Sequence, residues 1–301
     1  MSFSTRRKVF RIAHLTDLHL GIKEGDWADA LLLVDDALEQ GADHVVFSGD
    51  LLEAASGDCL RALVRQLRVR GLCDASKTTI VPGNHDVFPW SIEMFPWSIE
   101  KKWPGLDFLI PTRNFRTFGR LTSWSRRGEE AEPLFRNAAY PFGKRIAPGV
   151  DLVGLDTTAQ EARNPLDTAW GRMDEEDADA AQTFFARRKS VHRVVVMHHY
   201  PFDDFSNVTF AMKGVAIKEF QMRFTEPDAA TVRNWLGRAG ATVVLCGHIH
   251  DYRNKETKEG VRVVCSNSSK SEGEDARCYS MVDLHADGRV GVKQRSLMMP
   301  G

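Results

Sequence analysis

Apolar residues fall in short unbroken runs separated by stretches of helical spacing. Val9 to Leu15 reads as a buried strand. Trp27, Leu31, Val34 and Leu38 then recur every three or four residues, which predicts an amphipathic helix over Asp26 to Gln40, with Asp26 as N-cap and Gly41 as its stop. His44 to Ser48 is a second strand, Asp58 to Arg70 a second helix closed by Gly71, and Thr78 to Val81 a third strand. Such β-α-β-α-β alternation at short spacing is the pattern of a parallel sheet with helices on its faces.

The pattern resumes further on. Asp151 to Leu155 and Arg193 to Met197 read as strands around a helix over Asp174 to Arg188, which is acidic at its start and basic at its end, as the helix dipole favours. Pro227 opens a helix to about Arg238, and Thr242 to Cys246 is a strand. Three runs in the tail, Val261 to Cys265, Tyr279 to Leu284 and Val290 to Arg295, read as antiparallel strands, with Asp287-Gly288 a hairpin turn.

Two stretches break the rhythm. Residues 87–150 hold four tryptophans, several prolines and five arginines between Arg113 and Arg127. Within them the six-residue unit Phe88 to Glu93 recurs at Phe95 to Glu100. One duplication is no repeat array, and it reads as part of a surface insert or an aromatic lid. Residues 202–226, with Phe202, Phe205, Phe210 and Phe220, form the second aromatic insert. No linker divides the chain, so residues 1–301 are expected to form one domain.

A net charge of −1 over 301 residues offers no field for nucleic acid or an anionic membrane, so nucleic acid is not an expected partner. No segment approaches the ~18 consecutive apolar residues of a spanning helix. The five cysteines are scattered and odd in number, which fits reduced thiols and a cytoplasmic location.

Metal-type side chains gather where strands end. Asp17 and His19 follow the first strand, Gly49-Asp50 the second and Gly83-Asn84-His85-Asp86 the third. His198-His199 and Gly247-His248-Ile249-His250 follow two later ones. In open α/β sheets ligands gather beyond the carboxyl ends of the strands. Oxygen and imidazole ligands suit Mn²⁺, iron or Zn²⁺. Two such ions about 3.5–4 Å apart would hold phosphoryl oxygens and activate a water for attack on phosphorus. Asp50 is the candidate bridging carboxylate, and Asn84 offers a neutral carbonyl oxygen. Two divalent ions offset by two carboxylates and a hydroxide leave a small positive charge, which suits a singly charged phosphodiester. Side chains at adjacent extended positions point apart, so one of His198 and His199 coordinates and the other does not. His14, His44, His192 and His285 read as packing or surface residues.

These clusters, in this order from Asp17 to His250, resemble the signature of the calcineurin-like metallophosphoesterases. The resemblance implies an α/β fold, a four-layer αββα sandwich, and a binuclear centre of two divalent ions (Mn²⁺, Fe²⁺/Fe³⁺ or Zn²⁺). It places Asp17, His19, Asp50 and His250 around one metal and Asp50, Asn84, His198 and His248 around the other. It favours His198 over His199 as ligand. It assigns His85 to the phosphate and the leaving oxygen, with Asp86 orienting it. His199-Tyr200-Pro201 is similar to the His-His-Pro-Pro run of the cyclic-nucleotide and glycerophosphodiester phosphodiesterase branch, with Tyr200 in place of the first proline. The expected activity is hydrolysis of a small organic phosphodiester by metal-bound hydroxide. The aromatic, arginine-bearing inserts raise two alternatives: a pyrophosphatase acting on a nucleotide- or lipid-linked diphosphate of the UDP-diacylglucosamine type, or a DNA-processing nuclease.

Overall fold

A computed structural model of the chain describes residues 9–21, 24–88, 109–136, 138–158, 170–202, 208–212, 215–220, 226–266 and 276–298. In chain order the first elements are β1 (Val9–Leu15), α1 (Glu24–Glu39), β2 (His44–Phe47), α2 (Gly57–Val69), β3 (Thr78–Ile80) and the single turn α3 (Asn84–Val87). They are followed by α4 (Leu109–Leu121), a 3-10 turn over Ser123–Arg126, β4 (Ala131–Pro133), β5 (Phe142–Ala147) and β6 (Val150–Gly154). Next come α5 (Glu175–Ala186), β7 (His192–Val196), β8 (Val208–Met212), β9 (Val215–Phe220), α6 (Glu226–Arg238) and β10 (Val243–Cys246). The chain closes with β11 (Arg253–Glu256), β12 (Arg262–Cys265), β13 (Ala276–His285) and β14 (Val290–Met298).

The strands form two large sheets, one of five in the order β14-β13-β1-β2-β3 and one of seven in the order β11-β12-β10-β7-β6-β5-β4. β1, β2 and β3 run parallel, as do β6, β7, β10 and β12. Their side chains alternate between two cores. In β1, Ala13 and Leu15 meet α1 and α2, whereas Ile12 meets the other sheet. In β10, Val244 and Cys246 meet α5 and α6, whereas Val243 and Leu245 face the first sheet. A strand buried on both faces needs an unbroken apolar run, which is why these strands read so clearly in the sequence. Each fully buried aliphatic side chain contributes about 1.5–3 kcal/mol. Three cores between four layers make the αββα sandwich.

Three expectations are corrected here. The stretch 87–150 is not one insert, because its last third supplies β4 and β5 at the edge of the seven-stranded sheet. Lys144 and Arg145 hid β5 by breaking its apolar pattern. The tail is not antiparallel throughout, because β12, antiparallel to β11, lies parallel to β10 with Val243 opposite Arg262. Helix α1 starts at Glu24, so Asp26 sits in its first turn rather than at its cap. The second insert carries the antiparallel hairpin β8–β9. The duplicated unit, apart from Phe88, lies outside the described residues, as does Phe205.

Candidate metal centre

The carboxyl ends of β1, β2, β3, β7 and β10 meet at one side of the sandwich, and backbone bonds lock their exits together. Asp17 N–H donates to the Gly49 carbonyl (3.0 Å), His19 N–H to Asp50 (3.1 Å) and Gly247 N–H to His198 (2.9 Å). His248 N–H donates to the Asp17 carboxylate (3.1 Å), tying the exit of the second sheet to that of the first.

The exits turn back sharply. Among the described residues the non-glycine positions with positive φ are Asp17 (53°), His19 (47°), Asp50 (49°), His248 (74°) and His250 (51°). All are candidate ligands. Strained backbone of this kind costs on the order of 1–3 kcal/mol per residue and persists where surrounding structure over-determines it. Glycines make the crowding possible. A Cβ on Gly49 would come within 2.6 Å of both the Gly83 backbone nitrogen and His198 Nδ1. One on Gly83 would collide with Asp50, and one on Gly247 with Thr16 and Asp17.

Three groups of donor atoms result, of which His19, Glu53 and His85 form one beside the two that hold the expected ligands. Of those two, Asp17, His19 and His250 form the first, and Asp50, His198 and His248 the second. In the first, His19 Nε2 lies 3.1 Å from His250 Nε2. His250 Nε2 is in turn 3.3 Å from Asp17 Oδ1. In the second, His198 Nε2 lies 3.2 Å from Asn84 Oδ1, from His248 Nδ1 and from Asp50 Oδ2. Asp50 Oδ2 is also 4.0 Å from His19 Nε2, so this one oxygen faces both groups. Its partner Oδ1 accepts from His85 N–H at 2.9 Å.

The donor set fits metal ions. The His198 Nδ1 donates to the Ser48 carbonyl (2.8 Å), which turns Nε2 toward the other donors. Lone pairs of imidazole and carboxylate repel one another at such distances unless a cation or proton lies between them. Two nitrogen ligands of one ion, each about 2.0–2.1 Å from it, sit at roughly this spacing. The convergence of these donors is the arrangement that metal ions require.

The site's charges are tightly coupled. Burial raises the pKa of the Asp50 carboxyl, but the neighbouring His198 and His85 outweigh it and hold it well below the usual carboxylate range. Burial also pulls His198 down, yet the Asp50 charge prevails and lifts it to about 9. His248, buried and beside His198, falls to about 3.

Three side chains have positions that bear on their expected roles. His198 faces the donors, whereas His199 Nδ1 pairs with Thr157 Oγ1 at 2.8 Å. His85 is oriented by the Glu53 carbonyl, 2.7 Å from its Nδ1. Asp86 therefore does not orient His85 as expected. Its carboxylate instead accepts from Gly83 N–H (2.9 Å) and Leu52 N–H (3.1 Å), bracing the turn that presents Asn84 and His85. Buried there beside Asp50, its carboxyl rises to about 7, first through burial and then through the Asp50 charge. The packing histidines are placed as expected: His14 Nε2 is 2.8 Å from Ser48 Oγ and His44 Nε2 2.8 Å from Thr79 Oγ1.

Sequence reasoning missed Glu53. Its Oε2 lies 3.0 Å from His19 Nδ1, so one residue fixes His19 through its side chain and His85 through its backbone. The spacing Gly49-Asp50-x-x-Glu53, an acid three residues beyond a ligand on the same exit, was the available signal. A carboxylate behind a ligating histidine sets its tautomer, and its loss costs about 10- to 100-fold in metal affinity. Glu53→Ala is expected to weaken metal binding by that factor in a chelator competition, while Glu53→Gln retains most of it. Equal affinity in wild type and Glu53→Ala would remove this role.

Residues 10–252 match the family profile of the calcineurin-like phosphoesterases, and the chain belongs to that family. Its members are metal-dependent phosphoesterases that hold divalent ions. Among solved structures, a dimetal phosphatase from Danio rerio superposes with a TM-score of 0.60 at 12% identity, covering 97% of this chain and 99% of that one. A hypothetical protein from Thermus thermophilus (TM-score 0.47, 14% identity) covers 97% of this chain and 100% of its own. GAP50, the anchor in the inner membrane complex of Plasmodium (TM-score 0.48, 10% identity), covers 97% and 85%. No curated protein matches the sequence significantly. Among the described residues no helix is long and apolar enough to cross a membrane.

Proposed function

We propose that the chain is a binuclear metal-dependent phosphodiesterase acting on a small organic phosphodiester. Asp17, His19, Asp50 and His250 hold one ion, and Asp50, Asn84, His198 and His248 the other. The observation that carries this reading is the position of Asp50 Oδ2 between two groups of donors at the carboxyl ends of the strands. Bound divalent ions supply the charge that neutralises the phosphoryl oxygens and activates the attacking water. The chain supplies the rest. Asp50 is held rigid by the His85 amide, and His198 by the Ser48 carbonyl. With Nδ1–H given to the Glu53 carbonyl, His85 keeps Nε2 for the phosphoryl group and for a proton to the leaving oxygen. The small positive charge left by two ions, two carboxylates and a hydroxide favours a singly charged diester. Five cysteines without a disulfide among them fit a cytoplasmic setting.

The test compares bis(p-nitrophenyl) phosphate with p-nitrophenyl phosphate, using metal-stripped protein resupplied with Mn²⁺. Diester hydrolysis that requires metal is expected to fall about 10²- to 10⁴-fold in His85→Ala, the range for loss of a general acid. Hydrolysis of the monoester alone would overturn the diester assignment.

A further inference from the structure

A cavity of about 1010 Å³ opens beside the metal centre and takes no part in holding it. One wall is basic. Arg116 and Arg120 stand one turn apart on α4, Arg126 ends the 3-10 turn and Arg127 follows it. Arg126 is committed to the Gly119 carbonyl and the face of Tyr140. Arg116, Arg120 and Arg127 are exposed, and among the described residues no carboxylate pairs with them. The far wall carries Asp174 and Asp177. The Asp177 carboxyl is raised to about 6 by burial and then by the charges of Asp174 and Asp156. Arg172 lines the cavity on the side of Asp174.

The cavity lies at the catalytic end of the sandwich. Asp156 and Thr158, just past the carboxyl end of β6, line it. Thr157 between them bonds His199, whose ring packs at 4.4 Å against that of His248. Tyr140 and Phe142, at the start of β5, line it too, and β5 runs antiparallel to β6 with Phe142 opposite Gly154. Both therefore sit at the strand ends that carry the candidate ligands. The volume is that of a pocket for a substrate-sized group.

We propose that this cavity is a phosphate-binding subsite, which holds a second phosphate group of the substrate while the metal pair takes the scissile one. The inference rests on the phosphodiesterase reading. Arginine forks match phosphate oxygens in geometry and charge. Carboxylates on the far wall repel the phosphate toward the arginines and accept hydrogen bonds from hydroxyls of the organic body between the two phosphates. The substrate class narrows to phosphodiesters that carry a further phosphate on one alcohol.

The experiment has two arms, with Arg116→Ala/Arg120→Ala as the variant and Arg113→Ala, on the same helix but outside the cavity, as control. In the first, kinetics are measured on bis(p-nitrophenyl) phosphate and on a p-nitrophenyl diester whose second alcohol bears a phosphate monoester. The variant is expected to raise KM for the phosphate-bearing substrate on the order of 10- to 100-fold. Its kcat, and both constants for the plain diester, should stay unchanged. Equal effects on the two substrates would overturn the proposal. In the second arm, inorganic pyrophosphate is titrated by calorimetry into the full-length, metal-stripped chain. Wild type should bind it at least about 10-fold more tightly than the variant. This arm needs no turnover, so it stands even if the diesterase reading falls. Absence of pyrophosphate binding in wild type would refute the subsite. Binding lost in the variant without any change in KM would overturn the substrate assignment and make the cavity a site for free phosphate.

Discussion

Asp50→Asn is expected to abolish metal-dependent hydrolysis, by a factor on the order of 10³ or more. Asparagine tolerates the left-handed backbone that Asp50 adopts at φ 49°, and its oxygen still accepts from His85 N–H. The fold is therefore kept and the charge alone is lost. That charge faces both donor groups, with Oδ2 3.2 Å from His198 Nε2 and 4.0 Å from His19 Nε2. Without it neither ion has its shared anionic ligand. Metal content by mass spectrometry should fall below two ions per chain, while the metal-free variant keeps the melting temperature of metal-free wild type. A variant that retains both ions and wild-type turnover would show that Asp50 is not the bridge.

Lys144→Met is expected to be the most damaging change outside the site. Lys144 lies on β5, almost fully buried, and its Nζ donates to the carbonyls of Ala75 (2.8 Å), Thr78 (2.7 Å) and Ser125 (2.6 Å). Burial pushes its pKa well below that of a free lysine. Three carbonyls are nevertheless as many as an ammonium can serve. Together they bind β5 of one sheet to β3 of the other and to the 3-10 turn that follows α4. Methionine fills the volume and donates nothing, leaving three buried acceptors unpaired at about 1–3 kcal/mol each. Partial relaxation and water entry bring the expected loss to about 3–5 kcal/mol. Chemical denaturation with a matched thermal scan measures it. A variant within about 0.5 kcal/mol of wild type would mean that those carbonyls find other partners.

Lys144 also shows where sequence reading stops. Its positive charge made β5 look like loop, because the three carbonyls that hold it are 19 to 69 residues away in the chain. The same distance hid Glu53, whose value lies in meeting His19 and His85 from the two neighbouring exits. It also misassigned Asp86, which caps its own turn instead of reaching its neighbour's ring. β12 is antiparallel to β11 as expected, but its parallel pairing with β10 was not legible because pairing partners are not local: its apolar run is the same either way.

The sequence by itself determined the alternation of strands and helices, the choice of side chains at the strand ends and the family, because periodicity and motif spacing are local properties of the chain. Only the tertiary structure decided which exits meet, that His198 rather than His199 turns toward the donors, and that Arg116 and Arg120 of α4 face a cavity at the same end as the candidate metal ligands. Those outcomes depend on contacts between residues far apart in sequence. The backbone strain at Asp17, His19, Asp50, His248 and His250 marks where those contacts override local preference.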